Sequence, residues 1–404
     1  MPTAQGTPGH PGPTTDTETP RAERSLAPDL ARGMMLLFIA LANVVTYLHG
    51  NPQGPGHRPL DSTAVDRLTD TLATLFIDSR SYPMFAILVG YGMATMARRA
   101  TARGASRRQV RALLTRRSLW LIAFGTLHAA LLFSGDILAV YGIVGLLAAR
   151  LVDRGRRTLQ RWAAASFLSM TTVLTLSYWS EENGPPDDRN AMTDYLDAAT
   201  ARLTGHLAQT LLFGLLAFLV ALFVIGFALA RTGLLDHPEQ HTTTLRRIAV
   251  AALTADVALG LPHALTVGRY IHPDHGTQTL FNTLHTVSGW ATGLGYVCLF
   301  ALLAARIERR HPDSDTTART ATPRPATWIS AVGERSLTCY LIQSAVLAPL
   351  MCAWGAGLGS RIGTTQAYAL AAGTWTATAV LAVALARAGR RGPFEVLLRR
   401  LTYR

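Results

Sequence analysis

The chain has 404 residues, 49% of them hydrophobic and 16% charged, with a formal net charge of +13 carried by 38 arginines and no lysine. A soluble chain of this length would divide into two or three domains; here the apolar residues fall into about ten helix-length runs, so a membrane bundle can use the chain as one unit. The arginines lie between those runs and not on one basic module, which excludes nucleic acid as their partner, and Cys298, Cys339 and Cys352 lack the paired spacing of a disulfide framework or a zinc site.

Residues 1–24 are rich in Pro, Thr and Gly without periodicity, which predicts a disordered cytoplasmic tail. They do not read as a signal peptide, because the apolar run starts only near Gly33 and no small-residue cleavage site follows it. Residues 25–404 are expected to form a single transmembrane bundle. A bilayer core of about 30 Å needs about 20 apolar residues per helix. The spans predicted on that basis run from Pro28 to Leu48, Ser81 to Ala97, Ser118 to Phe133, Asp136 to Val152 and Trp162 to Trp179. They continue from Leu207 to Ala230, Ile248 to Val267, Phe281 to Ala305, Ile329 to Trp354 and Ala367 to Ala386. Before the second, residues 67–80 predict an amphipathic helix at the outer surface, with Leu68, Leu72, Leu75 and Phe76 on one face.

Every second loop is basic: 98–117, 150–161, the segment with Arg231, Arg246 and Arg247, the one with Arg306, Arg309 and Arg310, and the tail from Arg387. The loops between them are poor in arginine, and 180–205 carries Glu181, Glu182, Asp187 and Asp188. Because cytoplasmic loops hold the excess of basic residues, the reading is an all-α, multi-pass bundle of about ten helices with both termini cytoplasmic. No internal repeat recurs at a fixed period, and no pair of interrupted helices of the kind found in secondary transporters is evident.

Chemistry must then be sought among polar residues facing the bundle interior. In the first span Asp29 and Arg32 sit at i and i+3 beside Gly33, and an arginine at the cytoplasmic mouth suits an anionic ligand. An interfacial ion pair at a helix start is the plainer alternative. The turn at Ser134-Gly135 puts His128 six residues below it on one helix, roughly 9 Å deep, and Tyr141 at a similar depth on the next, with Asp136 at the turn itself. A histidine held by a carboxylate is the make-up of a general base; an interhelical hydrogen bond with a helix cap would use the same residues. Asn43 lies at a comparable depth and suits an oxyanion donor or a packing contact. Arg335, Thr338, Tyr340, Gln343 and Ser344 form a polar ladder along the ninth span, as a tunnel lining or as helix packing. His285 and Ser288 are placed to join the His128 group, whereas His263 has no evident partner. His272, Asp274 and His275 match no strong metal signature, so no metal site is expected. Gly90-Tyr91-Gly92 reads as close helix packing.

Taken together, Asp29-x-x-Arg32-Gly33 with Asn43, residues Phe85 to Gly92, the His128, Gly135-Asp136 and Tyr141 hairpin, Gly333-x-Arg335-x-x-Thr338-x-Tyr340 and Gly392-Pro393-Phe394-Glu395 resemble the YeiB-like family of bacterial membrane proteins, defined by a domain of unknown function. That family is distantly similar to transmembrane acyltransferases such as heparan-α-glucosaminide N-acetyltransferase and the bacterial O-acetylating enzymes. The resemblance implies a multi-pass protein of a bacterial plasma membrane that moves an acyl group from cytoplasmic acyl-CoA, with acetyl-CoA the expected donor, to a hydroxyl or amine of a sugar or small molecule. Two positions depart from the pattern. Asn43 stands where the O-acetylating enzymes carry a histidine, and Cys339 where the YeiB-like pattern has asparagine. On this reading Arg32, Asp29, Arg98, Arg99, Arg335, Tyr340 and Gln343 hold the donor, His128 with Asp136 or Tyr141 supplies the base, and Asn43 or Tyr141 meets the oxyanion. The expected partners are the lipid bilayer and a small-molecule or glycan acceptor, and the reading also allows a homodimer. The rival is a permease-like protein without catalysis, in which the same polar residues line a path.

Overall fold

The structure is a computed structural model, which describes residues 26–181, 189–215, 219–310 and 325–403. The tail expected over residues 1–24 and the acidic positions Glu182, Asp187 and Asp188 lie outside the described residues. The fold is all-α apart from a minimal hairpin of Gln53–Gly54 against Arg58–Pro59. In chain order the helices are α1 (Ala27–Val44), α2 (Ala64–Phe76), α3 (Ser81–Ala102), α4 (Arg107–Leu131), α5 (Leu138–Leu151), α6 (Arg156–Glu181) and α7 (Tyr195–Leu215). They continue as α8 (Val220–Thr232), α9 (Thr242–Val267), α10 (His275–Arg310), α11 (Pro325–Glu334), α12 (Ser336–Met351), α13 (Thr364–Arg387) and α14 (Pro393–Tyr403).

Five stretches among the described residues are long and apolar enough to cross a membrane: Ala27–Tyr47, Ala64–Ala102, Thr242–Val267, His275–Arg310 and Thr364–Arg387. The apolar surface points both ways. Leu30, Met84, Ile87 and Phe223 are fully buried, while Leu168, Leu211, Val250 and Val380 are exposed on the outside. A helix that is hydrophobic all round belongs in lipid or a large core, so this is a membrane protein.

Four expected elements differ from the observed ones. The span predicted from Leu207 to Ala230 is two helices, α7 and α8, with Leu219 in the left-handed region at the start of α8. The span from Ile329 to Trp354 breaks at Arg335, whose non-helical backbone separates α11 from α12. Hydropathy is blind to both breaks because apolar residues continue through them. The amphipathic helix starts at Ala64, capped by Thr63 and Asp66, and keeps Leu68, Leu72 and Phe76 outside while Leu75 is buried. A corner at Asp78-Ser79-Arg80 joins it to α3. Finally, the basic C-terminal tail contains α14, an amphipathic helix packed on α4 and α12.

Close helix crossings follow the glycines. Gly33 of α1 lies against the Ile329 backbone of α11, and Gly333 of α11 against the Asp29 backbone, so a side chain at either position would strike the partner's carbonyl. Gly90 of α3 and Gly226 of α8 meet in the same way, which agrees with the packing reading of Gly90-Tyr91-Gly92. A large core joins α1, α3, α5, α8 and α10. A smaller one at the opposite end of the bundle gathers Val44, Tyr47, Phe133, Leu347 and Met351.

Candidate active site

A cavity of about 1070 Å³ opens at the arginine-rich end, between α1, α3, α4, α5, α12 and α14. Its lining on α3 alone runs from Ala100 to Phe85, roughly 22 Å of helix at 1.5 Å per residue. Eight arginines line it (Arg32, Arg98, Arg99, Arg103, Arg117, Arg335, Arg391 and Arg399) against three carboxylates, Asp236, Glu334 and Glu395. Further in, the wall turns apolar with Leu36, Ile39, Phe85, Leu121 and Leu138, and it ends at Tyr141 and Tyr340. The cavity is therefore cationic at its mouth and greasy at its floor, a shape that suits an elongated ligand with an anionic head.

Behind the floor lies the hairpin of α4 and α5. His128 Nδ1 is 2.7 Å from Asp136 Oδ2, and both side chains are buried. The hairpin makes this contact locally. The His128 carbonyl accepts from Leu132 and Phe133 N–H, which ends α4, and Asp136 turns back to accept from Ala139 N–H at 3.2 Å, which starts α5. Gly125 has no side chain to hold the helices apart at the level of Asp136. The Tyr340 hydroxyl donates to the same Asp136 oxygen at 3.1 Å, and its ring sits 4.9 Å from the imidazole. Asp136 thus accepts three hydrogen bonds. With Nδ1–H given to the carboxylate, the lone pair is left on Nε2, which is buried without a hydrogen-bond partner. An imidazole so held can take a proton from a group brought to Nε2.

The other expected site residues divide. Asp29 and Arg32 pair at 3.0 Å, and Arg32 faces the cavity. Arg98 and Arg99 line the mouth. Arg98 also donates to Asp236 at 2.9 Å and to the Ala230 carbonyl at 2.7 Å. Burial raises the Asp236 carboxyl, but hydrogen bonds from Tyr91 and Arg98 and the charge of Arg98 outweigh it and hold the group below the ordinary carboxylate value. Arg335 touches the cavity, yet its guanidinium serves the backbone: it donates to the carbonyls of Arg390 and Ala331 and to Glu334, tying the helix break to the loop before α14. The polar ladder splits, because Tyr340 faces the cavity while Gln343 reaches Thr378 on α13 at 3.3 Å. Tyr141 lines the floor, but its hydroxyl donates to the Tyr82 carbonyl at 2.9 Å. Asn43 is half-buried, does not line the cavity and makes no hydrogen bond to His128 or Asp136 among the described residues.

His285 and Ser288 do not join His128. They form a second buried cluster at the corner before α3, where Arg80 meets Asp256 at 2.5 Å and His285 at 2.8 Å and Ser288 donates to Asp256 at 3.0 Å. The His263 ring packs at a tilt against His285, with centroids 4.8 Å apart. Asp274 caps α10 by accepting from Thr277. Sequence reasoning missed the bond from Tyr340 to Asp136, the cavity arginines Arg103, Arg117, Arg391 and Arg399, and the pair Arg80–Asp256. Lone charges at Arg80 and Asp256, each in or beside an apolar helix, were the available signal for that pair.

Residues 229–404 match the family described as "Protein of unknown function (DUF418)". The chain is 25% identical to the "Uncharacterized protein YxaH" of Bacillus subtilis (strain 168), over 93% of this chain and 93% of that relative. It is 24% identical to the "Uncharacterized protein YeiB" of Escherichia coli (strain K12), over 95% of this chain and 97% of that relative. The matched segment includes Gly333, Arg335, Tyr340 and the whole of α14, while the long alignments also take in the His128–Asp136 hairpin. The C-terminal part of the chain therefore matches the DUF418 family, and the chain as a whole is similar to the YeiB-like proteins.

Proposed function

We propose that this protein crosses a bacterial plasma membrane about ten times, with both termini in the cytoplasm, and transfers an acyl group from acyl-CoA to a hydroxyl or amine of a sugar or small-molecule acceptor. In this scheme the arginines at the mouth bind the donor's phosphates through charge-assisted, forked hydrogen bonds, and the pantetheine arm runs along the apolar wall to bring the thioester to the floor. His128 takes the acceptor's proton on Nε2, and the freed oxygen or nitrogen attacks the thioester carbonyl. The tetrahedral intermediate collapses, the C–S bond breaks, and the leaving thiolate recovers the proton from the imidazolium. Asp136 steadies the imidazolium throughout, and Tyr340 lines the cavity with its ring 4.9 Å from the imidazole. The carrying observation is that one cavity runs from eight arginines to Tyr340, which is hydrogen-bonded to the carboxylate holding His128.

Equilibrium binding of acetyl-CoA to the detergent-purified full chain tests this reading. Saturable binding that Arg32→Ala weakens about tenfold supports it, since removing one charge-assisted contact costs about that much. No binding at millimolar ligand sinks it. The corner at Arg80 and the break at Arg335 favour a second reading, a permease in which interrupted helices line a path. Solute uptake into vesicles that survives His128→Ala would select that reading over the first.

A further inference from the structure

Arg202 of α7 lies at the end of the bundle opposite the cavity mouth, one layer beyond His128, and is 1% exposed. Its Nε and Nη2 donate to the carbonyls of Ala130 and Leu131, in the last turn of the helix that carries His128, at 3.2–3.3 Å. An arginine capping a helix C-terminus is ordinary. What capping leaves over is not. Arg202 Nη1 is buried without a hydrogen-bond partner, and so is Trp354 Nε1. The guanidinium lies over the Tyr195 ring at 5.4 Å and the Trp354 ring at 5.7 Å, and those two rings meet edge to face at 4.9 Å. Cys352, Tyr195 and Tyr47 stand near it, and among the described residues no carboxylate pairs with it. Here a buried cation and two buried N–H groups share an aromatic cage beside the Cys352 thiol and the Tyr195 hydroxyl, and among the described residues no anionic acceptor faces them. Buried charge without a counter-charge is costly, as is a buried donor without an acceptor.

We propose that Arg202 and Trp354 form the acceptor subsite, and that the acceptor carries an anionic oxygen group, a carboxylate or a phosphate, seated on Arg202 Nη1 and the Trp354 indole N–H. The placement rests on the transferase reading, which brings the donor from the other side of His128. Tyr195 and Trp354 are half-buried, so the rings stand between the guanidinium and the surface as a gate. A sugar acid or sugar phosphate fits both parts of the cage, with the anion on the arginine and the ring face against the indole.

The test is calorimetric titration of the detergent-purified full chain with glucuronate, glucose 1-phosphate and glucose, each beside a separate titration with acetyl-CoA. One or both anions should bind about tenfold or more tightly than glucose, and Arg202→Gln should remove that preference. Trp354→Phe, which keeps a ring and loses only the N–H, should weaken the preferred anion by about threefold to tenfold. Acetyl-CoA affinity should be unchanged in both variants. Equal affinity for glucose and both anions overturns the proposal, as does wild-type anion binding in both variants. If Arg202→Gln unfolds, shown by loss of acetyl-CoA binding, Trp354→Phe decides, and unchanged anion affinity there overturns it. Anion binding without any acetyl-CoA binding would leave this subsite standing and sink the transferase reading.

Discussion

His128 is a candidate base because of what Asp136 does to it. The carboxylate takes Nδ1–H, fixes the tautomer and leaves Nε2 bare. His128→Ala should therefore lower acetyl transfer by about 10²–10⁴-fold while acetyl-CoA still binds; an undiminished rate in that variant would remove His128 from the mechanism. Tyr340→Phe deletes one of the three hydrogen bonds to Asp136 and leaves the ring in place. It should slow transfer by about tenfold with little change in donor affinity, a loss of kcat and not of KM. The His128–Asp136 contact was legible in the sequence because a short turn separates the two residues. Tyr340 was legible only as a rung on a ladder, since its partner is 204 positions away and no local pattern records which helix face meets which. His285 and Ser288 were misassigned for the same reason. Depth along a helix follows from counting residues, but direction around the axis follows from packing.

At the level of elements, the Asp29-x-x-Arg32-Gly33 and Gly333-x-Arg335 signatures are first of all a crossing. Each glycine admits the other helix's backbone, and the crossing holds Arg32 and Arg335 against the same cavity. Gly333→Ala puts a methyl group into the Asp29 carbonyl, so a loss of about 1–3 kcal/mol is expected, read as a lower thermal midpoint together with weaker acetyl-CoA binding. An unchanged midpoint would mean that the crossing is looser than described. The C-terminal helix α14 is held by Glu395, which accepts from the N–H groups of Leu337 and Thr338 at 2.7 and 3.0 Å and from the Thr338 hydroxyl, and so caps α12 from another element. Glu395→Ala should cost about 1–2 kcal/mol and expose α14 to proteolysis; a C-terminus as resistant as before would contradict that role. Most helices were legible from apolar run length. The breaks at Leu219 and Arg335 were not, because hydropathy measures solvent preference and not backbone direction.

On the scale of the whole molecule, charge is sorted along the bundle. The cavity mouth carries a large positive excess, so acetyl-CoA affinity should fall steadily as salt rises toward molar concentrations, where the screening length shrinks to about 3 Å; salt-independent binding would place the ligand elsewhere. The loop after α8 is tied to α3 through Asp236, which accepts from Tyr91 at 2.5 Å and pairs with Arg98. Its carboxyl is held below the ordinary value. That tie is therefore fully present above the ordinary carboxylate range, near pH 4, and is lost as pH falls through the lower, folded value. Asp236→Asn should flatten that acid limb of a stability profile, and an identical profile in the variant would show that other carboxylates set it.

Between the cavity floor at Tyr340 and the Ala130 and Leu131 carbonyls gripped by Arg202 lie the buried imidazole and its carboxylate, backed by the core of Val44, Tyr47, Phe133, Leu347 and Met351. Reactants arriving from opposite faces would need no aqueous passage through such a septum. An acyl group could change sides by exchanging one bond for another, and the bilayer would stay tight to ions during every turnover.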